Sequence, residues 1–193
     1  MTKEKWYKNI FGFVNPLRSL LYPITVSGRE NIPEGPALIC ANHSNAADPI
    51  ILVYAFGWRT QFFRILAKAE ARDIPIVRSL IGKIGTVFVH RGEPDIESYK
   101  NCLRVLKEGD KLLVFPEGTR VHGEDRVEPK SGVIRMAVKT KVPIIPVYMP
   151  RDKKLFRRVS VVIGKPYFLP DAGREDYGRL ASELMDRILE LKE

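Results

Sequence analysis

The sequence predicts an α/β domain: a single, mostly parallel or mixed central sheet flanked by helices, with a short amphipathic helical segment in front of it. Three observations carry that expectation. Short β-rich runs alternate with helical stretches along the chain, the grammar of strand–helix units in a largely parallel sheet. With 193 residues the chain has the length of one domain, enough to bury roughly 70% of its unfolded surface without staples. The hydrophobic share of 45% and the charged share of 28% are those of an ordinary globule, with no internal repeat and no low-complexity tract.

The elements follow in order. Residues 1–22, "MTKEKWYKNIFGFVNPLRSLLY", place Trp6, Ile10, Phe13, Leu17 and Leu20 at helical spacing, with Lys3, Lys5, Lys8 and Arg18 around them. Asn15-Pro16 is expected to break this segment into two short pieces, because a residue before proline avoids the helix. The segment is too short and too charged to span a bilayer, and its aromatic and basic residues suit an interface. Residues 23–193 then form the domain proper. Candidate strands are "ALICA" (37–41), "FFRILA" (62–67), "TVFVH" (86–90), "KLLVF" (111–115), "IIPVYM" (144–149) and "VSVVIG" (159–164). Helical patterns fall near 49–57, 72–83, 95–108 and 131–140, and a last helix over 174–192 carries Tyr177, Leu180, Leu184, Ile188 and Leu191 as a core stripe. Prolines at 143 and 146 remove ladder donors from "VPIIPV", which makes that strand an edge or a bulged one.

Charge narrows the partners. Lysine and arginine number 32 against 23 acids, for a net charge of +9. A basic chain points to nucleic acid, an anionic membrane surface or a phosphorylated substrate. No zinc-finger, helix-turn-helix or RNA-recognition signature occurs, which sets nucleic acid aside. Only Cys40 and Cys102 are present and no signal peptide precedes them, which predicts a reducing, cytosolic setting.

Ligands of open α/β sheets bind beyond the carboxyl ends of the strands. "ALICA" runs into Asn42-His43, "TVFVH" into Arg91, and "KLLVF" into Pro116, Glu117, Gly118, Thr119 and Arg120. If these strands are parallel, one sheet edge gathers a histidine, a glutamate and two arginines. A neutral imidazole suits general-base work, and Asp48 would fix its tautomer by accepting the proton of the other ring nitrogen. Positions five apart lie about 140° from each other on a regular helix, so the pair meets only across a turn. The competing reading of Asp48 is a helix N-cap, followed by Pro49 at the first helical position. Arg91 and Arg120 are either solvated charges or a two-arginine phosphate clamp. Gly118 would let a ligand approach the backbone. Glu117 is either a counter-ion or a holder of a polyol hydroxyl, and His90 and His122 are read as structural or exposed. No G-x-S-x-G elbow, P-loop, G-x-G-x-x-G or H-E-x-x-H occurs, so direct attack by a substrate hydroxyl is the simplest scheme.

Over roughly residues 26–166 the pattern resembles the glycerophospholipid acyltransferases, in particular the 1-acylglycerol-3-phosphate acyltransferases. "NHSNAAD" matches their N-H-x-x-x-x-D motif, which implies His43 as general base and Asp48 as its partner. The stretch from Lys68 through "GTVFVHR" is similar to the second motif and implies an acceptor-phosphate role for Arg91. "FPEGTR" matches the third in full, implying that Glu117, Gly118, Thr119 and Arg120 line the acceptor site, with Lys68 and Lys130 as further substrate-binding residues. "VPIIPV" resembles the fourth, near the acyl donor, and "GRENIP" and "VIGKP" sit where the family has similar segments. Asn45, His90 and Val121 depart from the family's common serine, aspartate and serine, which bears on acceptor selectivity.

The resemblance implies transfer of a fatty acyl group from acyl-CoA or acyl carrier protein to the sn-2 hydroxyl of a lysophosphatidate, forming phosphatidate. It implies no metal and no tightly bound cofactor, and a peripheral, monotopic enzyme on the cytoplasmic face of the cell membrane. The basic run "RDKKLFRR" (151–158) is read as a second membrane contact. Two alternatives remain at this point: a sibling acyltransferase acting on glycerol-3-phosphate or another lysolipid, and a non-catalytic anionic-lipid-binding module.

Overall fold

The computed structural model describes residues 2–68, 83, 85–89 and 95–192. Its helices are α1 (Lys3–Leu21), α2 (Asp48–Phe56), α3 (Ile96–Lys107), α4 (Gly132–Thr140) and α5 (Tyr177–Glu190). Its strands are β1 (Ile24–Ser27), β2 (Leu38–Ala41), β3 (Phe63–Lys68), β4 (Val87–Val89), β5 (Lys111–Val114), β6 (Ile144–Tyr148) and β7 (Val159–Ile163). They form one seven-stranded sheet in the order β1-β7-β6-β2-β5-β3-β4. From β6 to β4 every pairing is parallel, whereas β7 runs antiparallel to β6 and pairs parallel with β1. The expected α/β sheet is therefore present and mixed.

Alternation along the central strands sends side chains to two faces. Ile39, Leu113, Ile145 and Val147 face one layer with Tyr7 and Phe11 of α1 and Ile51 to Phe56 of α2. Leu38, Cys40, Leu112, Val114 and Ile144 face the other, built from α3, α4 and α5. Both faces of the central strands are covered, so these strands read as continuous apolar runs. The stripe foreseen in the last helix packs as expected, with Leu180, Leu184 and Ile188 buried.

Three expectations need revision. The strand carrying Pro143 and Pro146 is no edge, since β6 lies between β2 and β7. Ile144 exchanges both backbone bonds with Tyr167, and the β7 ladder starts only at Val147. Pro146 falls in the gap between them, where it is asked only for its carbonyl, which accepts from Gly164 N–H at 2.8 Å. The N-terminal segment is likewise not split at Asn15-Pro16, because α1 runs through Pro16. Tyr7 and Phe11 anchor it ahead of the proline, and the Tyr54 hydroxyl donates to the Phe11 carbonyl. Behind the proline, Arg18 bonds locally to Asn15 Oδ1 and the Tyr22 carbonyl and lies 4.3 Å over the Tyr54 ring of α2, so tertiary anchoring outweighs the lost helical bond. Strand β1 was not foreseen at all. The helix expected over 72–83 lies outside the described residues, apart from Lys83.

Candidate active site

Strand β2 ends at Ala41, and Asn42 fastens that end to β6. Its side-chain amide donates to the Met149 carbonyl at 2.7 Å and accepts from Met149 N–H at 2.9 Å. His43 follows, and the loop after β5 holds both of its backbone groups. Its N–H donates to Glu117 Oε2 at 2.6 Å, and its carbonyl accepts from Val121 N–H at 2.7 Å. The imidazole stacks on Phe115 with ring centroids 4.1 Å apart.

The tight turn from Ser44 to Asp48 brings the carboxylate back to the ring. His43 Nδ1 and Asp48 Oδ2 lie 2.9 Å apart, and the same oxygen accepts the N–H groups of Ser44 (2.7 Å) and Asn45 (2.8 Å). Asp48 is the first residue of α2, whose N-cap is Ala47, and its side chain turns back toward His43 rather than forward into the helix. The two side chains therefore meet across the turn, and the N-cap position belongs to Ala47 rather than to Asp48. Burial works against the Asp48 charge, but the His43 hydrogen bond, the Lys153 ammonium and the two N–H donors outweigh it and hold the carboxyl below its usual range. With Nδ1 facing the Asp48 carboxylate, Nε2 has no partner among the described residues.

Glu117 is buried, and its oxygens are divided between two donors: Oε2 serves the His43 backbone, and Oε1 accepts from Arg151 at 2.6 Å. Burial outweighs the His43 N–H and the Arg151 guanidinium and holds its carboxyl above the usual range. With one donor on each oxygen, Glu117 is the partner of Arg151 and a brace for the His43 backbone rather than a free ligand. Gly118 takes φ +65°, open to glycine, and a Cβ there would lie 3.2 Å from Lys130 Cγ. The Lys130 backbone N–H bonds the Pro116 carbonyl at 2.8 Å, closing the loop. Thr119, Arg120 and Lys130 are exposed, and among the described residues neither Arg120 nor Lys130 has an acidic partner. The loop thus carries two cations that have no acidic partner among the described residues, and its Val121 N–H bonds the His43 carbonyl. Lys68 closes β3 in register with Val89 of β4. Arg91 and His90 lie outside the described residues, and His122 is exposed.

Two functional positions escaped the sequence reading. Arg151 and Lys153 belong to the run taken as a membrane contact, yet both point inward. Lys153 Nζ lies 3.1 Å from Asp48 Oδ1, with side chains only 1% and 0% exposed, and also contacts Ser44 Oγ at 2.8 Å. Burial lowers the Lys153 ammonium below the usual lysine range, with Asp48 opposing. The available signal was their place just beyond a β6 that runs parallel to β2, two residues apart. Cys40 and Cys102 are free and buried; burial raises both thiols, that of Cys102 to about 12, so neither is an activated nucleophile. Among the described residues no group of three or more metal-ligating side chains occurs.

The site thus sets a histidine–aspartate pair at the end of a parallel strand, next to a loop that carries the exposed Arg120 and Lys130. A family model described as Acyltransferase matches residues 23–150, and the chain belongs to that family. It is 37% identical over 136 residues to a protein of Borreliella burgdorferi named 1-acyl-sn-glycerol-3-phosphate acyltransferase, covering 69% of this chain and 53% of that one. A Bacillus subtilis protein of the same name is 29% identical over 196 residues, 96% of each chain. The crystal structure of the 1-acyl-sn-glycerophosphate acyltransferase PlsC from Thermotoga maritima aligns with a TM-score of 0.69 at 29% identity, over 98% of this chain and 78% of that one. The chain spans about half the length of several curated relatives it matches, at 53%, 47% and 44%.

Proposed function

We propose that this protein transfers a fatty acyl group from a thioester, acyl-CoA or acyl-acyl carrier protein, to the sn-2 hydroxyl of 1-acylglycerol-3-phosphate, forming phosphatidate for phospholipid synthesis. The observation that carries it is the His43–Asp48 pair beside the loop of Arg120 and Lys130, with no partner for Nε2 or for either cation among the described residues. Nε2 takes the hydroxyl proton as the oxygen attacks the thioester carbonyl. The tetrahedral adduct then expels the thiolate, which recovers the proton from the imidazolium. The Nδ1–H bond to Asp48 keeps the ring in the needed tautomer and stabilises the transient imidazolium. Arg120 and Lys130, with Arg91 and Lys68 as proposed companions, hold the acceptor phosphate and turn a chance encounter into an oriented one. The thioester is a co-substrate, and the scheme calls on no metal or bound cofactor. An acceptor-by-donor panel tests it: lysophosphatidate with at least one of the two thioester types should give phosphatidate. Transfer to glycerol-3-phosphate alone, or none to any acceptor, would overturn it.

The acceptor grip has its own test. Arg120→Ala should raise the acceptor KM about tenfold or more, the scale of one charge-assisted hydrogen bond, while the thioester KM moves far less. Arg120→Lys should restore only part, because a point charge lacks the planar fork. If acceptor kinetics are unchanged in both Arg120→Ala and Lys130→Ala, the phosphate role is removed.

The same reading puts the protein on a membrane surface as a monotopic, peripheral enzyme. No helix among the described residues is long and apolar enough to cross a bilayer. Support comes from Phe13, Leu17 and Leu20 of α1, which are 89%, 60% and 64% exposed. Phe156 N–H bonds the Leu21 carbonyl at 2.8 Å, which sets exposed Leu155 and Phe156 beside that helix end, with Lys154, Arg157 and Arg158 exposed around them. Each such cation near an anionic surface is worth about 1 kcal/mol, screened beyond roughly 8–10 Å. Because Tyr7 and Phe11 are core residues, deleting the helix would open the fold, so the test substitutes its outer face. The combined Phe13→Ser, Leu17→Ser, Leu20→Ser variant should lose most co-sedimentation with anionic vesicles. The unsubstituted protein should weaken with salt but stay partly bound. Equal binding by the two proteins would mean that α1 is not the anchor.

A further inference from the structure

Asp48 divides its work unevenly between its two oxygens. Oδ2 collects three donors, His43 Nδ1 and the Ser44 and Asn45 N–H groups, whereas among the described residues Oδ1 faces only the Lys153 ammonium at 3.1 Å. We propose that Lys153 is a positioning residue for the His43–Asp48 pair, its ammonium fixing the carboxylate so that Oδ2 stays on the imidazole through the reaction.

Four features support this assignment. A lysine side chain only 1% exposed has been taken out of water, which is unfavourable unless a partner ion repays it, and the buried anion within reach is Asp48. The ammonium is itself held, contacting Ser44 Oγ at 2.8 Å and the Pro150 carbonyl, so it is a fixed charge rather than a swinging one. Ser44 in turn donates to the Arg151 carbonyl at 3.0 Å, tying the turn that carries His43 to the segment that carries the lysine. The neighbouring Arg151 is already committed to Glu117 at 2.6 Å and does not compete for Asp48. Two parallel ion pairs, Glu117–Arg151 under the His43 backbone and Asp48–Lys153 under its ring, therefore hold the base from both ends. Without Lys153, Oδ1 would be a buried anionic oxygen with no counter-ion, free to rotate toward other donors or to take a proton, and the ring would lose its fixed acceptor.

The proposal rests on the acyl-transfer reading above, and two readouts keep the failures apart. In the first, Lys153→Met should lower kcat about 10²-fold, the scale of a misplaced catalytic group, with the acceptor KM little changed. In the Asp48→Asn background the same substitution should change kcat no more than about twofold, because the lysine then has no carboxylate to hold. That background also guards against misfolding, since removing the lysine there leaves no unpaired buried anion. The second readout needs no turnover. The Nδ1–H proton of His43 should give a protected downfield resonance in the unsubstituted protein, lost in Asp48→Asn and broadened or lost in folded Lys153→Met. Additive kinetic losses, or a Nδ1–H resonance unchanged in Lys153→Met, would overturn the role of Lys153. Absence of turnover in the unsubstituted protein would instead count against the acyl-transfer reading, with the resonance still deciding the positioning role.

Discussion

Replacing His43 with alanine is expected to lower kcat for lysophosphatidate acylation by about 10²–10⁴-fold, the usual worth of a general base. The protein should stay folded, because the imidazole is partly exposed and its main apolar contact is the Phe115 ring. The backbone anchors of His43, to Glu117 and Val121, do not depend on its side chain. Thermal unfolding should therefore move little while turnover collapses, and kcat and kcat/KM should fall together, the sign of a group acting in the transition state. Asp48→Asn should also impair turnover, and added to His43→Ala it should cost almost nothing more, because the aspartate acts through the ring. Steady-state rates of each variant, with circular dichroism for foldedness, decide the matter. Near-normal turnover in His43→Ala would remove the general-base role.

Much of this site was legible before any coordinates. The strand "ALICA" announced itself by its apolar run, and the polar residues after it were placed at a sheet edge by topology alone. The structure confirms that "ALICA" and "KLLVF" are adjacent parallel strands, so their trailing loops meet. What periodicity could not supply was the third dimension of the edge. Nothing in "RDKKLFRR" distinguishes Arg151 and Lys153, which turn inward, from Arg157 and Arg158, which stay in solvent. That division follows from the end of β6 lying next to β2, a non-local pairing that charge composition does not record. Pro16 and Pro146 misled for a related reason. Each carries a real local preference, and each is overridden by anchoring at a distance, through Tyr7, Phe11 and the Arg18 guanidinium over the Tyr54 ring in one case and the interrupted ladder with β7 in the other. Strand β1 went unseen because four residues with alternating exposure carry little signal until β7 gives them a partner.

Glu117→Ala should be the most destabilising single change at the site. The substitution removes both acceptors at once: the His43 N–H loses its 2.6 Å bond, and the Arg151 guanidinium loses its 2.6 Å carboxylate partner. Arg151 is only 10% exposed, so its charge would be left without water or a counter-ion at that end. Breaking a buried ion pair by deleting one partner costs about 3–5 kcal/mol, more than the pair itself contributes over an apolar replacement. Because the second Arg151 nitrogen keeps the Gly123 and Asp125 carbonyls, the loss should fall toward the lower end of that range. Turnover should fall as well, since the His43 backbone is then held only by Val121. Urea unfolding measures the first effect, and kcat at a temperature where the variant remains folded measures the second. Glu117→Gln keeps one acceptor oxygen and should be milder on both counts, while the double change Glu117→Ala with Arg151→Met should recover part of the stability without recovering turnover. If Glu117→Ala unfolds at the same urea concentration as the unsubstituted protein, the brace assigned to Glu117 does not exist. Full recovery of turnover in the double variant would show instead that the His43 backbone needs no anchor from this side.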